Sequence, residues 1–148
     1  MSAIRPRRSV LYMPGANERA LEKAKTLPAD SLILDLEDAV APEAKVEARD
    51  RVCGVVKAGG YGPRELIIRI NGQDTEWGKA DLKAAAHAKP DAILIAASGA
   101  AAGMPQIELR DKGFKGLIYQ THGAVTKDFM DALRKEAAGE LALIQDEE

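Results

Sequence analysis

Leu32-Ile33-Leu34-Asp35-Leu36-Glu37-Asp38-Ala39-Val40 is the stretch from which the fold of this chain is read. Its apolar opening has the length of a buried parallel strand, with helix-like sequence on either side. It turns acidic at its C-terminal end. Asp35 and Glu37 are two residues apart, so on an extended strand they project from one face. In alternating β/α architectures the C-terminal strand ends collect the chemistry, because loops from several strands converge there. A plainer reading stays open beside it: Asp38 only opens the loop, and Glu37 only pairs with Lys45 or Arg49.

Upstream, Ser9 to Met13 is a β-branched and apolar run cut off by Pro14-Gly15, a strand and its turn. Asn17 is placed to cap a helix over about Glu18 to Leu27, with Ala20, Leu21, Ala24 and Leu27 as its apolar stripe. Arg19 and Lys23 lie four apart and share a face of it. Downstream, Pro42 opens a second helix reaching about Lys57, and Gly59-Gly60-Tyr61-Gly62-Pro63 breaks it. Glu65 to Ile70 is a third strand ending in Asn71-Gly72, Gly78 to Ala88 a third helix, and Asp91 to Ile95 a fourth strand. The tract from Ala96 to Gly103 is small and featureless, either a loop or the start of an Ala-rich helix. Leu117-Ile118-Tyr119 reads as one more short, weaker strand. Thr126 caps a final helix from Lys127 to about Ala138, and Gln145 to Glu148 is an acidic, frayed end. Strands and helices alternating at this spacing argue for parallel strands joined by right-handed βαβ units.

Composition narrows the classes. The 148 residues are 46% hydrophobic and 30% charged, ordinary for a globular chain. A net charge of −2 is too small to make nucleic acid or a membrane surface the dominant partner. Cys53 is the only cysteine, so no internal disulfide forms and a reduced, cytoplasmic setting is expected. The basic stretch Met1 to Arg8 lacks the apolar segment of a secretory signal. His87 and His122 are too isolated for a metal site or a triad, Cys53 reads as core, and Trp77 reads as a packing aromatic.

Three strand ends therefore carry candidate groups: Tyr12-Met13-Pro14-Gly15, Asp35-Leu36-Glu37-Asp38 and Arg69-Ile70-Asn71. Together with Arg7-Arg8-Ser9-Val10-Leu11, Ala39-Val40-Ala41-Pro42, Lys45, Ala48-Arg49, Thr75-Glu76-Trp77-Gly78 and Asp81-Leu82, this set resembles the HpcH/HpaI aldolase and citrate-lyase β-subunit-like family of CoA-ester lyases. The resemblance covers roughly residues 5 to 95. It implies a TIM-type barrel, Mg²⁺ as cofactor, and a carbon–carbon lyase acting on citryl-, malyl- or citramalyl-type CoA or acyl-carrier thioesters, with an acyl thioester and a 2-oxo acid as products. Such a site must hold a carboxylate and stabilise developing negative charge. Arg69 offers a bidentate fork for the oxo-acid carboxylate. A structural salt bridge from Arg69 to Asp35 or Glu37 is its alternative. Asp35, Glu37 and Asp38 form, on the family's pattern, an acidic cluster near the metal, acting through water or through Lys45 and Arg49. Tyr12, Arg19 and Lys23 lie where the family contacts CoA, with a solvated helix face the alternative for the two cations. Pro14 and Gly15 let backbone approach the ligand.

The expected fold is thus α/β, an incomplete TIM-type barrel of four to five parallel strands out of eight, forming one partial domain over 1–148 with a divergent tail from 96. A full barrel takes about 250 residues. After Ile95 the family pattern fades, as a deletion or a shifted reading frame would explain. Glu108 and Asp111 lack the surrounding motif, so no metal ligand is assigned. A non-catalytic remnant or thioester-binding subunit is the alternative function. Strands this few cannot close a barrel built for eight, so the open edges are expected to make the chain a homo-oligomer or leave it marginally stable.

Overall fold

The computed structural model describes residues 5–134. Its elements are β1 (Val10–Pro14), α1 (Glu18–Ala24), β2 (Ser31–Asp35), α2 (Lys45–Ala58, entered through a 3₁₀ turn at Pro42–Ala44), β3 (Glu65–Ile70), α3 (Gly78–Ala88), β4 (Ala92–Ile95), α4 (Gly103–Asp111) and β5 (Leu117–Gln120). A last helix runs over 127–134, where the description stops, so its expected end at Ala138 and the acidic terminus lie outside the described residues. The five strands form one parallel sheet in chain order, β1-β2-β3-β4-β5. That is the open arc of an incomplete β/α barrel.

Strand parity sorts the side chains. Leu32 and Leu34 of β2, Leu66, Ile68 and Ile70 of β3, and Ile93 and Ile95 of β4 meet Leu21, Ala24, Val52, Leu82, Ala85 and Leu109 from the helices in one core. Leu34, Ile68 and Ile93 are wholly buried, each contributing about 1.5–3 kcal/mol relative to exposure. The alternate residues Ile33, Ile67, Ala92 and Leu94, with Tyr119 against them, make a smaller apolar cluster on the opposite face. There Ile33, Ile67, Leu94 and Tyr119 border a cavity of about 240 Å³ that also touches Arg7, Val10, Ser31 and Glu65. The inward row is thus mostly covered despite the open arc, and the exposed apolar side chains of the sheet are those of β1 and Leu117.

Two helices depart from expectation. α1 stops at Ala24, not Leu27: the Thr26 hydroxyl donates to the Lys23 carbonyl, and Pro28 bars its predecessor from helical backbone. Leu27 still packs on the core from the turn. The featureless tract becomes a 3₁₀ turn at Gly99–Ala102 that runs straight into α4, anchored by buried Ala102, Pro105 and Leu109. The expected caps are in place: Asn17 Oδ1 accepts the Ala20 N–H at 3.0 Å and Thr126 Oγ1 the Phe129 N–H at 3.2 Å. Among the described residues no helix is long and apolar enough to cross a membrane.

The N-terminal end of the sheet is closed by a polar network. Buried Glu65 takes a fork from Arg7 (2.8 and 2.7 Å), the Ser31 hydroxyl at 3.1 Å and the Tyr119 hydroxyl at 3.0 Å. The Arg7 hydrogen bonds hold the Glu65 carboxyl below its ordinary value, while burial pushes the Tyr119 phenol up. A carboxyl depressed in the folded state stabilises fully above its unfolded value, near about 4.3, and that contribution is lost as pH falls through the folded value. Urea unfolding across pH 7 to 3 should therefore show a steeper acid loss of stability in the wild type than in Glu65→Gln. Parallel acid limbs would contradict the assignment.

Candidate functional site

The C-terminal end of the sheet gathers the charged strand ends. Asp35 is the last residue of β2 and only 2% exposed. The chain after it folds around its carboxylate: Oδ1 accepts the Glu37 N–H at 2.8 Å and Oδ2 the Ala39 N–H at 3.2 Å. This is an Asx-type turn. Glu37 and Asp38 consequently sit in a turn, and the turn, rather than the expected strand pleat, brings them to the same place as Asp35.

Arg69 is level with Asp35 in the β2–β3 register, so their side chains stand next to each other on one face. Its guanidinium meets all three acids: Asp35 Oδ2 at 3.4 Å, Asp38 Oδ2 at 2.7 Å, and Glu37 Oε2 in an ion pair. The Tyr12 ring lies 5.8 Å away across the guanidinium. Arg69 Nε is buried without a hydrogen-bond partner, leaving one donor of the fork free. Burial, with help from Asp38 and Asp35, pushes the Glu37 carboxyl above its ordinary value although Arg69 pulls it down. The carboxylates in turn raise Arg69 against its own desolvation.

The partners expected for Glu37 go elsewhere. Lys45 is buried, and its Nζ donates to main-chain carbonyls, Leu36 at 3.0 Å and Glu37 at 2.7 Å, while lying 5.3 Å from the Trp77 ring. Arg49 reaches buried Asp81 at 3.2 Å. Neither contacts an acid of the cluster, because the turn points its carbonyls back into the protein and its carboxylates out toward Arg69. Asn71 completes that backing. Its Nδ2 donates to the Leu36 carbonyl at 2.8 Å and to Asp81 Oδ2 at 2.6 Å, and its N–H to Asp81 Oδ2 at 3.1 Å. Asp81 thus ties α3 to α2 and to the end of β3. Sequence reasoning assigned it no role; an acid on the inner face of a helix was the only available signal.

Pro14 is level with Asp35 across the β1–β2 register. Gly15 donates its N–H to the Asp35 carbonyl at 2.9 Å, and a Cβ there would stand 2.6 Å from that oxygen and 2.9 Å from Val52 Cγ2. The close approach that Gly15 permits is to β2 and α2. Arg19 and Lys23 lie exposed on α1, outside the ion pairs of the described residues, so the Arg69 cluster does not include them.

Does this donor set suit Mg²⁺? Among the described residues no three His, Cys, Asp or Glu side chains are placed to hold a metal ion. Both Asp35 oxygens are committed to main-chain amides and Arg69, and a guanidinium occupies the centre where a cation would sit. The set does not fit direct Mg²⁺ coordination. Glu108 pairs with Lys112 at 3.4 Å, away from this cluster.

A family model described as HpcH/HpaI aldolase/citrate lyase matches residues 8–109. It extends through the Ala/Gly tract into α4, beyond the Ile95 limit read from sequence. The (3S)-malyl-CoA thioesterase of Cereibacter sphaeroides is 59% identical over 90 residues, 61% of this chain and 32% of that protein. Citrate lyase subunit beta of Leuconostoc mesenteroides is 39% identical over 108 residues, 73% of this chain and 36% of that protein. The chain spans about a third of the length of these curated relatives. Among solved structures, the CitE protein of Mycobacterium tuberculosis in complex with magnesium, acetoacetate and coenzyme A superposes with a TM-score of 0.58 at 26% identity, covering 78% of this chain and 40% of that one.

Proposed function

This chain belongs to the HpcH/HpaI aldolase/citrate lyase family, and from that premise we propose that its C-terminal strand ends bind and help cleave a malyl-, citryl- or citramalyl-type CoA or acyl-carrier thioester. The observation that carries the reading is Arg69, a mostly buried guanidinium with a free Nε, ringed by three carboxylates beneath Tyr12. The bond that breaks joins the carbinol carbon to the carbon next to the thioester. The hydroxyl gives up its proton, a 2-oxo acid leaves, and the thioester enolate is protonated to the acyl thioester. Arg69 grips the carboxylate beside the carbinol carbon, exchanging Glu37 or Asp38 for it. Glu37, raised by burial, is the group whose Oε atoms hold or move a proton there. Asp35 and Lys45 keep the turn in shape. Tyr12, Pro14 and Gly15 border the thioester side, and Arg19 and Lys23 offer charge for its phosphates from α1.

Magnesium dependence of the complete catalytic unit is part of the proposal, taken over from the magnesium-bound CitE relative; the roles of Arg69, Glu37 and Asp35 are those of the side chains alone. A cytoplasmic setting is part of it too. A second reading, a thioester-binding subunit without catalysis, is favoured by the lack of a metal donor set among the described residues. Incubating the purified chain with malyl-CoA and Mg²⁺ separates them. Glyoxylate with acetyl-CoA supports the lyase, while free CoA with malate means hydrolysis, as in the name of the 59%-identical relative. No turnover, with glyoxylate binding that Arg69→Ala abolishes, supports the subunit. Calorimetry should find acetyl-CoA bound weakly or not at all by the monomer. A tight one-to-one complex would contradict the expected incomplete site, and neither turnover nor glyoxylate binding would end both readings.

A further inference from the structure

Asn71 is followed by Gly72, while Asn17, the other asparagine of the chain, is followed by Glu18. With no side chain at 72 to screen it, the Gly72 nitrogen can close on Asn71 Cγ. Its N–H gives a proton to hydroxide, the nitrogen bonds to Cγ, and Nδ2 leaves as ammonia with a proton taken from water, which makes a cyclic imide. Water then opens the ring at Cγ to give aspartate, or at the main-chain carbon to give isoaspartate. One amide and one water become a carboxylic acid and ammonia, with no change of oxidation state. The fold opposes each part of that sequence. Asn71 is only 3% exposed. Its Nδ2, the leaving group, donates to Asp81 Oδ2 at 2.6 Å and to the Leu36 carbonyl at 2.8 Å. The N–H of Asn71 itself donates to the same Asp81 oxygen at 3.1 Å, which draws the carboxamide toward the N-terminal side of its residue and away from the attacking nitrogen. The Gly72 peptide is fixed as well. Its carbonyl accepts the Thr75 hydroxyl at 2.6 Å and the Thr75 N–H at 3.0 Å, and Gly78 packs so closely that a Cβ there would overlap that oxygen.

We propose that Asn71-Gly72 is a deamidation site held shut by the contacts of Asn71, and that an opening long enough for imide closure converts the chain permanently to a form with a broken Asp81 network. The product accounts for the damage. A carboxylate at position 71 faces the buried carboxylate of Asp81 and the Leu36 carbonyl, so two hydrogen bonds become contacts between acceptors. Isoaspartate adds a carbon to the main chain just after β3, two residues beyond Arg69. The Leu36 carbonyl also takes the Lys45 ammonium, and it immediately precedes Glu37. The loss therefore spreads to the turn that carries Glu37 and Asp38. Asn17 supplies the contrast: it is an exposed helix cap, but the Glu18 side chain screens the nitrogen that would attack it. Deamidation needs no thioester chemistry, so it can be tested whether or not the chain cleaves or binds a thioester.

Incubation at mildly alkaline pH, followed by tryptic digestion and mass spectrometry, reads the reaction as a gain of about one dalton in the Ile70–Lys79 peptide. Fragmentation separates Asn71 from Gln73. In urea Asn71 should deamidate much faster than Asn17, whose peptide is Ser9–Arg19. In the native chain Asn71 should react at least about 100-fold more slowly than in urea, because a protected group reacts from its open population alone. Equal rates in the native and unfolded chain would overturn the proposal. Asp81→Ala removes the oxygen shared by Nδ2 and N–H. It should accelerate native deamidation more than Leu109→Ala, a cavity in the buried face of α4, at urea concentrations that equalise their unfolding free energies. Equal acceleration would mean that global unfolding is the only gate, and would also overturn it. Asn71→Asp supplies the aspartate product directly. It should unfold at lower urea than the wild type and shift the Trp77 emission. A variant as stable as the wild type, with unchanged emission, would show that deamidation leaves the network intact. Should Asp81→Ala not fold, the native-to-urea ratio of the wild type and the stability of Asn71→Asp decide.

Discussion

Asp81→Ala should lower the unfolding free energy by about 3–5 kcal/mol, the cost of breaking a buried, hydrogen-bonded ion pair by removing one partner. Asp81 is wholly buried and accepts from Arg49 and from both donors of Asn71. Removing it strands a mostly buried guanidinium and a buried amide, each left without the partner that offset its desolvation. Asp81→Asn should fall between. One amide oxygen still serves Asn71, while its NH₂ group confronts the Arg49 donor. The damage should also reach the acidic turn, because Asn71 and Lys45 share the Leu36 carbonyl. Trp77, the only tryptophan, lies against Lys45, so its emission should shift in the folded variant. Urea unfolding followed by far-UV circular dichroism gives the energy and Trp77 fluorescence the local effect. A loss under about 1 kcal/mol would mean that the network only decorates the fold.

Much of the architecture was legible because the chain is locally consistent. Glu65–Ile70 and Gly78–Ala88 have the bounds expected from their patterns, since Asn71-Gly72 and Lys89-Pro90 punctuate them. β5 was weak as a sequence signal, four residues with no alternation, and exists because β4 offers it a full parallel register. α4 went unread for the opposite reason. A Gly and Ala tract leads into it, and only Gly103, Pro105 and Leu109 are buried along it, too sparse for helical periodicity to show.

At the strand ends, convergence of the loops leads one to expect Asp35 and Arg69 near each other, and the β2–β3 register places them side by side. Strand parity, read for Asp35 and Glu37, cannot supply the course of the chain after the strand. Glu37 reaches Arg69 through a turn wound on the Asp35 carboxylate. Lys45 and Arg49 are near in sequence to that turn, and both were natural partners for its acids. Their targets, main-chain carbonyls and Asp81, depend on how α2 lies over α3. The Arg7–Glu65–Ser31–Tyr119 network was invisible for the same reason: its members are scattered over most of the chain, and only the register of the assembled sheet brings them together.

Arg69→Ala should cost about 3–5 kcal/mol at neutral pH, since Asp35 is buried and Glu37 and Asp38 lose the guanidinium that offsets their mutual repulsion. The pH dependence fixes the cause. Glu37 already sits above its ordinary value, and Arg69 is what restrains it; without Arg69 it rises further. A carboxyl raised in the folded state stabilises fully below its unfolded value, and that contribution is lost as pH rises through the folded value. The penalty of Arg69→Ala should therefore shrink on acidification from pH 7 toward 4, where the turn carries fewer unpaired charges. Arg69→Lys separates structure from binding. A lysine ammonium keeps the positive charge and should recover most of the stability, but a point charge cannot reproduce the two-pronged grip on a carboxylate. Glyoxylate binding should then be lost in both variants while only alanine is unstable. If Arg69→Lys binds glyoxylate as the wild type does, Arg69 is a structural counter-ion for Asp35, Glu37 and Asp38, and the substrate carboxylate is held elsewhere.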